Sequence, residues 1–139
     1  MRSRTPLLAW SITDLGAAAG VMVTASHNPP RDNGYKVYLD DGAQIVPPHD
    51  SGISRCIDAV GLRIPVADLG DRLIEHVDEQ LVERYLDFAG RVRLSPNTPG
   101  TTVVATALHG VGGSLLRKAF LRAGFPLPEA VASQQSPHP

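Results

Sequence analysis

Cysteine is nearly absent from this 139-residue sequence. The single residue, Cys56, excludes an internal disulfide and suits a reducing compartment. Its neighbours in Gly52-Ile53-Ser54-Arg55-Cys56-Ile57 read it as a small core residue. An excess of one charge is also missing. Thirteen Lys and Arg stand against 14 Asp and Glu, for a net charge of -1. That balance removes the bulk electrostatic case for a nucleic acid or an acidic membrane surface as partner. Long apolar runs are absent too, and none approaches the ~20 residues that span a bilayer. Arg2 and Arg4 before Leu7-Leu8-Ala9-Trp10 imitate a signal peptide, but Ser11, Thr13 and Asp14 interrupt the run too early. The expectations are a cytoplasmic protein, no nucleic acid partner and no membrane. No internal repeat is visible.

What is present fits a folded domain. Hydrophobic residues make up 42% of the chain, and the length supports one ordinary core. Strand-like and helix-like segments alternate, which predicts an α/β fold with a mixed sheet and flanking helices. A helix is predicted over 6–19, ended by Gly20, followed by a buried strand at Val21-Met22-Val23-Thr24-Ala25. Two prolines and an Asn-Gly pair then force a loop. A strand follows over 35–39, Asp40-Asp41-Gly42 marks a turn, and 43–46 reads as a third strand. A helix is predicted over 51–60.

The apolar spacing of Ile74, Val77, Leu81, Tyr85 and Phe88 predicts the clearest helix, over 73–88. Its acidic residues read as a solvated face. Residues 94–100 read as a linker, and a strand (101–107), a loop and a helix (114–123) ended by Gly124 come after it. The proline-rich stretch 125–139 predicts no stable element and is read as a disordered tail. The resulting division is 1–95, 96–124 and 125–139. The strand over 101–107 lacks a partner of its own, so it must join the first sheet or meet residues beyond this chain. The sequence reads as cut on its C-terminal side.

The strongest chemical signal is Thr24-Ala25-Ser26-His27-Asn28-Pro29-Pro30 with Asn33-Gly34-Tyr35-Lys36. A serine directly after a buried strand sits at the rim of a sheet, where α/β proteins bind ligands. Such a loop can turn backbone N–H groups toward an anion. The prolines and glycine restrict it, so the hydroxyl is positioned in advance. His27 and Lys36 add proton donors or positive charge. These parts suit phosphoryl transfer through Ser26. They suit a serine hydrolase poorly, because adjacent residues of an extended chain point apart and no Gly-x-Ser-x-Gly elbow surrounds Ser26. His109 with Gly110, Gly112 and Gly113 imitates a phosphate loop at a helix start, although such glycine clusters are common strand–helix turns. His49 and His76 read as surface residues.

On these residues the chain resembles the α-D-phosphohexomutase superfamily of phosphoglucomutases and phosphomannomutases. The family's Thr-Ala-Ser-His-Asn-Pro loop and following Asn-Gly-x-Lys stand here as TASHNPP and NGYK. The later TALHGVGGSLLRKAFLRAGF resembles the start of the family's second domain, with Ala107 in place of a usual proline. The resemblance implies an incomplete three-layer phosphohexomutase-type domain plus the start of a second.

It also implies that phospho-Ser26 exchanges its phosphate with a phosphosugar through a bisphosphate intermediate, interconverting sugar 1-phosphates and 6-phosphates. His27 and Lys36 would assist, while Asn28, Asn33 and Gly34 would shape the loop. Mg2+ would bind the phosphate on Ser26, and a sugar 1,6-bisphosphate would serve as activator. The family's Asp-Gly-Asp-x-Asp-Arg magnesium loop, its Glu-x-Ser-Gly-His sugar loop and its Arg-x-Ser-Gly-Thr phosphate loop are absent from the sequence. Glucose, mannose and pentose phosphates therefore all stay open as substrates. The expectation is a fragment inactive alone, with a partner chain supplying the missing domains. The alternative is a truncated fragment or scaffold with no activity of its own.

Overall fold

The fold was taken from a computed structural model, which describes residues 5–25, 28–29, 31–95 and 100–136. Helix α1 (Thr5–Leu15) leads into strand β1 (Ala19–Thr24), and β1 pairs with β2 (Gly34–Leu39). The pair is antiparallel, with Ala19 opposite Leu39, Met22 opposite Lys36 and Thr24 opposite Gly34. α1 ends earlier than its sequence predicts. Gly16 adopts φ 62°, and Ala17 N–H donates to the Ile12 carbonyl at 2.9 Å. This left-handed glycine terminates the helix and frees 17–18 to enter the strand.

α1 packs directly on the hairpin. Residues Gly20, Met22 and Thr24 alternate with Ala19, Val21 and Val23, so the two sets occupy opposite faces. Met22 and Tyr38 are buried with Ile12 on the α1 face, flanked by Leu8, Ala9 and Ala17. A methyl group on Gly20 would lie 2.5 Å from Ile12 Cδ1, so the bare glycine lets the helix approach. On the opposite face Val21, Val23 and Tyr35 are exposed. One covered face and one bare face make the antiparallel pair an incomplete layered unit.

Past β2, Gly42 turns the chain at φ 75°, helped by Ala43 N–H donating to Asp41 Oδ1. The third strand expected over 43–46 reduces to one bridge, Tyr38 with Gln44. Helix α2 (His49–Ala59) follows the cis Pro47–Pro48 peptide and buries none of its residues. Cys56, expected in the core, is accordingly exposed.

The long helix predicted over 73–88 is instead α3 (Glu79–Gly90). Asp78 is its N-cap, accepting from Gln80 N–H at 2.9 Å, so 73–78 stay outside the helix. Leu81, Val82 and Leu86 are its buried residues. The apolar spacing at Ile74 and Val77 continues the helical period, yet both are exposed in irregular chain.

Beyond the linker come β3 (Val104–Ala105), α4 (Gly113–Arg122), β4 (Glu129–Ala130) and a 3-10 turn (Ala132–Gln134). β3 and β4 run parallel, supported by Glu129 N–H to the Val103 carbonyl at 2.8 Å and Val131 N–H to the Ala105 carbonyl at 3.2 Å. The stretch after 125 thus carries structure where composition predicts none. Pro126 and Pro128 come before β4, and β4 supplies the partner that β3 lacks elsewhere. Residues 137–139 of the expected tail lie outside the described residues.

A second cluster joins Leu7, Val82, Leu86 and Leu115, with Trp10, Tyr85 and Ala119 packed against it. The segment after the linker therefore docks on α3, within the cluster that α3 shares with α1. The architecture is α/β, with helices against one antiparallel and one parallel two-stranded sheet.

Candidate functional site

The motif forms the tip of the β1–β2 hairpin. Ser26, His27 and Pro30 lie outside the described residues, but both flanks are defined. Thr24 opposite Gly34 closes the ladder. Asn28 N–H donates to the Ala25 carbonyl and Asp32 N–H to the Pro29 carbonyl, each at 2.9 Å. β1 leads into the loop and β2 leads out; β1, read from sequence as a buried strand, buries only Met22, because α1 covers just one of its faces.

Lys36 lies opposite Met22 and shares the α1 face with Tyr38. It is half-buried. Its stem can pack along the apolar face while the ammonium reaches the rim. Asn28 and Asn33 are exposed. Gly34 is the first residue of β2, has no left-handed backbone, and would seat a methyl group 3.8 Å from the Thr24 carbonyl oxygen. Its position is that of a strand residue entering the ladder.

The second motif segment is the turn between β3 and α4. Leu108 and His109 both adopt positive φ, 44° and 63°. Hydrogen bonds hold this uncommon backbone: Leu108 N–H donates to Thr106 Oγ1 at 2.9 Å, and His109 N–H donates to the Gln134 carbonyl at 3.0 Å. Thr106 Oγ1 also donates to Gln134 Oε1, and His109 Nδ1 lies 3.1 Å from the Ser136 carbonyl oxygen. Because β3 and β4 are parallel, these residues gather at the carboxyl ends of both strands. Sequence pattern singles out His109 but not Thr106 or Gln134; only the unexpected β4 brings Gln134 there. His49 and His76 are exposed, as read from sequence.

Among the described residues no group of three His, Cys, Asp or Glu could hold a metal ion. These residues do not by themselves fit a magnesium site, since Mg2+ depends on several oxygen donors at close, near-octahedral positions. No helix among the described residues is long and apolar enough to cross a membrane.

Residues 3–63 match the family model described as phosphoglucomutase/phosphomannomutase, alpha/beta/alpha domain I. The chain is 42% identical over 137 residues to the probable phosphomannomutase of Haemophilus influenzae, covering 96% of this chain and 28% of that protein. It is 35% identical over 152 residues to the phosphopentomutase of Mus musculus, covering 97% and 23%. It is 35% identical over 144 residues to the glucose 1,6-bisphosphate synthase of Homo sapiens, again covering 97% and 23%. The chain thus spans about a quarter of the length of these curated relatives.

Proposed function

The chain belongs to the α-D-phosphohexomutase superfamily, and from that premise we propose that it supplies the phosphoserine loop of a sugar phosphomutase. Ser26 carries the phosphoryl group. The P–O bond to Ser26 breaks as a sugar hydroxyl oxygen attacks phosphorus; that hydroxyl loses its proton, and a sugar bisphosphate forms. After the sugar turns, its other phosphate returns to Ser26 and the isomeric monophosphate leaves. Little covalent chemistry is asked of the protein, so positioning and charge stabilisation carry the rate. Lys36, a cation on strand β2, offsets phosphate charge. His27 joins the proton transfer. Asn28, Asn33 and Gly34 set the loop's course between the two strands.

The observation that supports this reading is the complete 24–30 and 33–36 motif at the tip of a paired hairpin. Magnesium is the expected counterion of the serine phosphate, with donors from outside the described residues. The same shortage extends to the sugar. Among the described residues none is identified that clamps the far end of a phosphosugar, so effective concentration at Ser26 is low. The chain alone therefore turns over little or no substrate.

A coupled assay with glucose 1-phosphate tests both halves. The isolated chain is expected to give no multiple turnover. Adding the remainder of a family protein, with its own matching quarter deleted, is expected to restore turnover with wild-type chain but not with Ser26→Ala. Restored activity with Ser26→Ala would refute the nucleophile. Sustained turnover by the chain alone would refute its dependence on other residues.

A further inference from the structure

α3 and α4 each carry a charge pattern unfavourable to themselves. Glu83 and Asp87 stand four residues apart on α3, and Lys118 and Arg122 stand four apart on α4. Like charges at this spacing face each other along a helix and oppose its formation. In the folded chain the two pairs neutralise each other. The Arg122 guanidinium bonds both Glu83 and Asp87, and Lys118 Nζ lies 3.9 Å from Glu83 Oε1. α4 has no acidic residue to relieve its own pair, and the one arginine of α3, Arg84, is bonded to Asp14; the contact between the helices relieves both.

A second arginine holds the same end of α4. Arg93, just past α3, donates to the Ala123 carbonyl at 2.6 Å and to the Ser95 carbonyl at 2.7 Å. Its guanidinium lies 5.0 Å from the centre of the Phe125 ring. A cation at a helix C-terminus also meets the negative end of the helix dipole. The apolar part of the contact is Leu115, with Ala119 beside it, in one cluster with Val82 and Leu86. The Ile12–Met22–Tyr38 cluster draws nothing from α3 or α4.

We propose that Glu83, Asp87, Lys118 and Arg122 form an electrostatic latch. It docks the unit containing β3, α4 and β4 on α3, and it opens with ionic strength while α1 and the β1–β2 hairpin stay folded. Its consequence is spatial, and it does not depend on the chemistry at Ser26. α4 begins where the His109 turn ends, so the latch fixes that turn relative to the hairpin motif.

Hydrogen exchange of the full chain, read by mass spectrometry, tests the latch. Raising NaCl from about 20 mM to about 0.5 M contracts the screening length severalfold. Exchange across α4 is expected to accelerate roughly fivefold, the scale of a few screened surface pairs, with β1 and β2 unchanged. Arg122→Glu is expected to produce the same selective opening at low salt. Inverting all four charges together (Glu83→Lys, Asp87→Arg, Lys118→Glu, Arg122→Glu) is expected to restore protection. Unchanged exchange in α4 would overturn the proposal. So would equal loss of protection in α4 and the hairpin, or failure of the inverted chain to regain it.

Discussion

The three-helix contact and the β1–β2 hairpin solve the burial problem differently. Around Leu86, side chains from α1, α3 and α4 close on one another, and the charges at the rim are paired. The hairpin is closed on one side alone: α1 covers Met22 and Tyr38, while Val21, Val23 and Tyr35 face outward. The chemical motif sits on the half-covered hairpin. Placing the proposed phosphoserine loop at a sheet rim requires the backbone pairing of two strands more than a completed core. α3 and α4 add a closed core whose buried residues form a different cluster from the hairpin's.

Substitutions can break or sharpen this contrast. The largest effect is expected at Leu86, which is 2% exposed. Leu86→Ala removes a fully enclosed side chain and should cost about 3 kcal/mol, measured by urea denaturation. Gly42→Ala comes next. The residue has φ 75°, and a methyl group there would lie 2.6 Å from the Ala9 carbonyl oxygen. Strain plus a backbone clash predicts a loss of about 2 kcal/mol, read as a lower midpoint of the same transition.

Asp78→Ala removes the α3 cap and should cost about 1 kcal/mol, with asparagine restoring most of it. Val23→Thr should be nearly silent, within about 0.5 kcal/mol, because Val23 is 70% exposed. A large loss at Val23 would mean that the outer face of the hairpin is covered in solution, and the contrast between the two regions would fail.

Much of this arrangement was legible in the sequence, for identifiable reasons. β1 and β2 announce themselves through an apolar β-branched run and the punctuation around it. The α4 region follows from its apolar spacing and Gly124, which takes φ 71° as a helix-ending glycine. The start of α3 was misread because Ile74 and Val77 extend the helical period, while the Asp78 side chain caps a helix that begins six residues later than expected. Periodicity reports which residues are apolar, not which ones find a partner. The same reason explains Cys56: α2 is amphipathic, but nothing among the described residues buries it.

The 125–136 stretch was opaque because β4 forms through pairing with β3, a contact that local propensity does not encode. For the site, the motif named Ser26, His27 and Lys36. The register that puts Lys36 opposite Met22 on the α1 face emerged only from the folded chain. Gln134 had no local signal at all, since its place beside the His109 turn depends on β4.

The central claim concerns Ser26 itself, and it can be tested without turnover. The purified chain would be exposed to glucose 1,6-bisphosphate, digested and mapped by tandem mass spectrometry. One phosphoryl group on Ser26, absent from Ser26→Ala and reduced in Lys36→Ala, is the predicted result. Phosphate on another residue, or equal labelling of the Ser26→Ala chain, would contradict it.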